Sequence, residues 1–251
     1  MRTLLVLMIL LMCWSCKKEN PAQQPADIET GTLRLEFEHF ADNTSLLYHT
    51  WYVNANNDSF TVSFLKYYIS NISISNANAA NWKEENSYHL VEHHNGSTSV
   101  ITVNNVPVGS FTKLNCGLGV DSIRNVSGSQ TGALDPSNNM FWSWNSGYIF
   151  FKMEGLAPKS PTTVYTFHVG GFNSPNSAYR DLEFSLTTNP LIISKGKTST
   201  IKIKGDAMAF MNNPNPLNLA FNNNISTPGH ATQVAADNYA NMFSVLSVIN
   251  N

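Results

Sequence analysis

From residue 32 onward the chain alternates apolar and polar side chains with a period of two, which confines it to β-structure. Leu33, Leu35 and Phe37 take one side of the first segment, and Arg34, Glu36 and Glu38 take the other. His39 continues the apolar side, so it aims at the interior or its rim. Residues 60–75 (FTVSFLKYYISNISIS) form a β-branched and aromatic run long enough for one bent strand or two, with Asn71 marking a bulge. Asn95-Gly96 supplies the positive φ angles of a tight turn, predicting a hairpin between YHLVEHH and STSVITVNNV. Lys195-Gly196 marks another turn. Further strands are expected over 111–120, 147–155, 162–170, 181–188 and 199–205.

Two regions depart from this pattern. Residues 121–146 carry no regular apolar period and read as one long loop, a length that is usually functional or disordered. Phe141, Trp142 and Trp144 argue against disorder. Near the C-terminus, Thr227-Pro228-Gly229 reads as a helix start. Ala235, Tyr239, Met242, Phe243 and Leu246 follow at helical spacing, predicting a short amphipathic helix that caps the fold. The expectation is all-β: a single antiparallel β-sandwich domain over 32–251, with a long aromatic loop and a short C-terminal helix.

The N-terminus is a targeting segment rather than part of that domain. Arg2 precedes an unbroken apolar run over 4–12, far short of the about 20 residues a membrane-spanning helix needs. Ser15-Cys16-Lys17-Lys18 then resembles a bacterial lipoprotein signal, in which the cysteine is acylated and becomes the new N-terminus. Cys16 is the expected lipidation site, because Ser15 before it is small whereas Met12 before Cys13 is not. Residues 1–16 are the signal peptide and 17–31 a polar, proline-bearing tether. The expected product is an exported lipoprotein, periplasmic or at the outer membrane or cell surface, meeting the membrane through its anchor only. Cys116 is then the sole remaining cysteine, which excludes an internal disulfide and suits a buried structural thiol. A formal net charge of −2 with 13% charged residues leaves no basic field for nucleic acid.

Motifs of common catalysis are missing: there is no G-x-S-x-G, H-E-x-x-H, glycine-rich phosphate loop or C-x-x-C pair. Asp121 and Asp135 flank the long loop, and Asp121 with Arg124 reads as a loop-ordering ion pair. Histidine is more informative, with seven copies. His39 follows an apolar strand face, His89 lies between Tyr88 and Leu90, and His168 shares a face with Val164 and Thr166. Glycines after His168 permit close approach. Each histidine taken alone suits a structural role. His93 and His94 adjoin the Asn95-Gly96 turn and are expected at the surface, while His49 and His230 lie in poorly patterned stretches. In Met140-Phe141-Trp142-Ser143-Trp144 the two tryptophans share one face if extended, for core packing or for stacking on sugars. Copper favours imidazole and thioether ligands, so Met140 and nearby histidines are compatible with it.

Six segments together carry a family resemblance: LKYYISNISI (65–74), YHLVE (88–92), GVDSIRN (119–125), GALDPSNNMFWSWNSGYIFFKMEG (132–155), FHVGGF (167–172) and ADNYANMF (236–243). The chain resembles the MbnP family, secreted copper-associated proteins of methanobactin gene clusters, over nearly all of its mature length. The family is similar in chemistry to the copper proteins MopE and CorA, where a tryptophan oxidised to kynurenine helps histidines hold copper(I). The resemblance implies an extracytoplasmic, non-enzymatic copper-binding protein used in copper capture or handling. It implies His168, His89 and His39 as metal ligands and Trp142 or Trp144 as the modified ligand, with Trp51 the outsider. It also implies a MauG-like dihaem peroxidase as partner. An indole nitrogen has no free lone pair, whereas ring opening to kynurenine exposes an amine. A carbohydrate- or peptide-binding surface module is the alternative, with Trp142 and Trp144 as its stacking platform.

Overall fold

The computed structural model describes residues 28–76, 79–127, 130–143 and 146–251. The expected signal segment with Cys13 and Cys16, residues 17–27 of the tether, and Trp144 lie outside the described residues. The chain runs through β1 (Thr30–Ala41), β2 (Thr44–Ser45), β3 (Trp51–Val53), β4 (Ser59–Thr61), β5 (Phe64–Asn76) and β6 (Ala79–Lys83). Next come β7 (Tyr88–Glu92), β8 (Ser99–Pro107), β9 (Gly109–Phe111), β10 (Lys113–Leu118) and a short helix, α1 (Ser122–Val126). Two 3-10 turns lead to β11 (Phe141–Ser143), β12 (Gly147–Leu156), β13 (Val164–Gly170), β14 (Arg180–Ser185), β15 (Leu191–Ile193) and β16 (Thr198–Asp206). The chain closes with α2 (Ala207–Asn212), β17 (Asn224–Ile225), α3 (His230–Ala240) and β18 (Phe243–Ile249).

These strands form an all-β sandwich. One sheet is ordered β18-β16-β1, with β8 on the other side of β1 and β2 at its end. The larger sheet is ordered β14-β10-β5-β12-β13-β17, with β6 and β7 also on β5, and β11 on β12. Most pairings are antiparallel; β1 with β16 and β13 with β17 are parallel. The alternation of β1 is realised as expected: Leu33, Leu35 and Phe37 are buried. Phe37 crosses to the other sheet and meets Tyr67 edge-on, with ring centroids 6.0 Å apart. Asn71 is the bulge, at φ 52°, where the β5–β10 register shifts. No helix among the described residues is long and apolar enough to cross a membrane.

Four expectations need correction. Asn95-Gly96 does turn, with Gly96 at φ 72° and the Ser97 N–H donating to the His94 carbonyl at 3.1 Å. The flanking strands nevertheless part, β7 joining β5 and β8 joining β1, so the turn passes between the two sheets instead of closing a hairpin. The expected long loop holds α1, the 3-10 turns and β11. Asp121 does not pair with the Arg124 guanidinium: it accepts the Arg124 backbone N–H as the α1 cap, together with the Tyr88 hydroxyl and Asn71 amide. The C-terminal helix stops at Ala240, and Phe243 and Leu246 belong to β18, which pairs with β16; Phe243 sits opposite Gly205 and Leu246 falls at the register shift.

Candidate metal centre

His39 lies near the end of β1, and its ring packs on β16, where a Cβ on Gly205 would sit 3.1 Å from the His39 Cδ2. A side chain at Gly205 would crowd the ring. His93 follows β7, and its N–H donates to the Leu65 carbonyl at 3.0 Å. Because the Asn95-Gly96 turn carries the chain from one sheet to the other beside the end of β1, His93 comes to face His39. Their ring centroids are 5.0 Å apart at 77°.

Tyr48 fastens this corner. Its hydroxyl donates to the His93 carbonyl at 2.8 Å and accepts the Leu65 N–H at 3.0 Å. Its ring stands edge-on to His93 at 4.7 Å, and its backbone N–H donates to the Asn95 side chain at 2.7 Å. On the other side, His39 Nε2 is 2.9 Å from the Tyr67 hydroxyl.

The pair is deeply buried, at 5% exposure for His39 and 4% for His93. Yet His39 Nδ1 and both ring nitrogens of His93 have no hydrogen-bond partner among the described residues. Buried polar atoms are nearly always paired, and each exception calls for an explanation. Burial pushes the His39 pKa down to about 3, and the neighbouring His93 lowers it further. Burial also lowers His93, with His94 adding to the effect; Asn95 and the Leu46 backbone oppose it without making a well-formed hydrogen bond to the ring. Both rings are therefore neutral at physiological pH, the state in which imidazole ligates metals. A cavity of about 180 Å³ adjoins them, its walls including Ser45, Leu46, Gly96 and Glu38, and no tryptophan among the described residues lines it. The Glu38 carboxylate is bound to Lys202 at 3.0 Å. Two neutral nitrogen donors without a free carboxylate suit a soft cation of low charge and low coordination number.

The three histidines expected as ligands are not brought together. His168 points to the outer face of the larger sheet, its Nε2 2.6 Å from Glu154, which also holds Lys152 at 3.4 Å. Burial lowers its pKa and Glu154 opposes the shift. His89 pairs with Glu84 at 2.8 Å, and Ser87 donates to the same carboxylate oxygen. Among the described residues, no three histidine, cysteine, aspartate or glutamate side chains are grouped to hold a metal. Trp142 is half-buried; its ring would lie 3.0 Å from a Cβ on Gly170, which covers one side of it. Gly170 and His168 face the same way on β13, roughly 7 Å apart along the strand. Met140 is fully buried, and Cys116 is a free buried thiol with its pKa pushed up to about 12.

His93, expected at the surface, is buried instead. A signal for this was present: Val91 and His93 share a strand face, as Phe37 and His39 do. The adjacent turn signal outweighed it.

The sequence profile of a family described as MbnP matches residues 30–231. Among solved structures, MbnP from Methylosinus trichosporium is similar at 14% identity and a TM-score of 0.43, covering 70% of this chain and 76% of that one. No curated protein matches.

Proposed function

This chain belongs to the MbnP family, and from that premise we propose that it is a non-catalytic copper(I)-binding protein for copper capture or handling outside the inner membrane. The observation that carries the reading is the His39–His93 pair: two buried, neutral imidazoles with three unpaired ring nitrogens beside a small cavity. Burying unpaired polar atoms is costly, and a ligand that consumes their lone pairs repays the fold for keeping them. His39 and His93 would hold the metal, and the metal would supply only its affinity for nitrogen, with no reaction attached.

Trp142 is the candidate for oxidation to kynurenine by a MauG-like dihaem peroxidase. Its ring lies against Gly170 of β13, two residues along the strand from His168, so this modification would create an amine donor beside β13 rather than at the buried pair. The lipid anchor is assigned to Cys16, which places the domain at a membrane surface through its tether.

Titration with copper(I) against a chromophoric chelator tests the reading. Wild type is expected to compete for the metal, and His39→Ala or His93→Ala to lose that ability. A wild-type protein that never competes would end the proposal. Intact mass of the protein from its native host reads the tryptophan: kynurenine gains one oxygen and loses one carbon. Cys16→Ser is expected to release the protein from membranes, and retention there would remove the anchor assignment.

A further inference from the structure

The two nitrogens of the His39 ring stand in different surroundings. Nε2 is turned to the hydroxyl of Tyr67, 2.9 Å away, and Tyr67 is completely buried. Nδ1 has no partner among the described residues. The Tyr67 ring is boxed in by Phe37 at 6.0 Å, Phe243 at 5.2 Å and the stacked Phe151 at 6.2 Å, all between ring centroids. Its hydroxyl cannot swing away from His39 unless the core between the sheets moves with it.

Burial keeps the Tyr67 phenol protonated far above the ordinary tyrosine range. A protonated phenol both donates and accepts hydrogen bonds. It therefore satisfies Nε2 whether that atom carries a lone pair or a proton, whereas a carboxylate would serve only the second case. When a cation occupies the lone pair of Nδ1, the ring proton must reside on Nε2, and a fixed acceptor for that N–H is then required. Histidine ligands in metal sites generally have such a partner on the far nitrogen, and its loss weakens binding roughly 10- to 100-fold.

On the copper-binding reading given above, we infer that Tyr67 is the positioning residue of the site, holding Nε2 so that His39 ligates a soft monovalent cation through Nδ1. The partner nitrogen on His93 is left open by the structure, since neither of its ring atoms is engaged. In His39 the asymmetry is buried: a buried hydroxyl holds Nε2, and Nδ1 is enclosed without a partner among the described residues. His168 and His89 also have Nε2 engaged, by Glu154 and Glu84, but these are carboxylates on partly exposed surfaces.

The experiment uses protein labelled with ¹⁵N-histidine and loaded with silver(I), a spin-active stand-in for copper(I). Long-range proton–nitrogen correlation locates the His39 ring proton, and splitting by silver identifies the bound nitrogen. The expected result is silver coupling at Nδ1 with the proton on Nε2. Tyr67→Phe is expected to bind copper(I) roughly 10- to 100-fold more weakly and to lose the single-tautomer signature. A merely structural Tyr67 would not alter which nitrogen carries the proton. Silver coupling at Nε2, or a folded Tyr67→Phe protein with unchanged affinity and tautomer, overturns the inference while leaving copper binding intact. Failure of wild type to take up either metal overturns both. Circular dichroism checks that the variant folds, and if it does not, the wild-type coupling decides alone.

Discussion

Replacing His93 with phenylalanine is expected to stabilise the metal-free protein while abolishing its response to copper(I). The substitution removes two buried ring nitrogens that have no partner among the described residues. Leaving a buried donor or acceptor unpaired costs about 1–3 kcal/mol. Phenylalanine is the larger ring, and overpacking a closed core costs about 1–3 kcal/mol. Here the adjoining cavity of about 180 Å³ gives the extra volume somewhere to go. The net gain is therefore set near about 1–2 kcal/mol, or about 2–8 °C in Tm for a domain of this size. Thermal unfolding with a chelator present, followed by circular dichroism, measures it. In the same assay copper(I) at a hundredfold excess over its Kd raises wild-type stability by about 2.7 kcal/mol and leaves His93→Phe unmoved. A metal-free variant that melts below wild type would refute the reasoning, because the ring nitrogens would then be holding the fold together.

Stability is expected to fall with acid through the same pair. His39 has its pKa lowered from 6.5 to about 3, so between those values the unfolded chain binds a proton that the folded one does not. The contribution is fully present above pH 6.5 and is lost as pH falls toward 3, by up to about 1.4 kcal/mol per pH unit. His39→Phe should flatten the stability–pH slope by up to one proton, and parallel curves would count against a neutral buried ring. His168→Ala and His89→Ala should leave copper(I) affinity unchanged in the chelator competition, since both rings are tied to carboxylates away from the pair; a large loss in either would move the site. Gly170→Ala should destabilise by about 1–3 kcal/mol in urea unfolding. Its Cβ would lie 2.4 Å from the Tyr148 carbonyl oxygen, which the β12–β13 pairing holds in place. Wild-type stability there would mean that the Tyr148 carbonyl is not held against Gly170. Cys116 should resist alkylation until the protein unfolds, as mapped by peptide mass, because only the thiolate reacts and burial suppresses it.

The strands were legible because alternation is a local property: Leu33, Leu35, Phe37 and His39 show a buried face before any partner is known. The Asn71 bulge and the Asn95-Gly96 turn were likewise readable from residue type. Phe243 and Leu246 misled because their spacing fits a helical face as well as a strand, and pairing with β16 decided between them.

Sequence alone determined that β-strands would form, which face of β1 would be buried, and that His39 would be on it. Tertiary structure alone decided that His93 would meet it. A turn specifies the φ angles of two residues but not which strands its arms will join, and that choice follows from burying β7 against β5 and β8 against β1. The pairing energy is non-local, so the corner that joins His39 to His93 exists only once both sheets have closed.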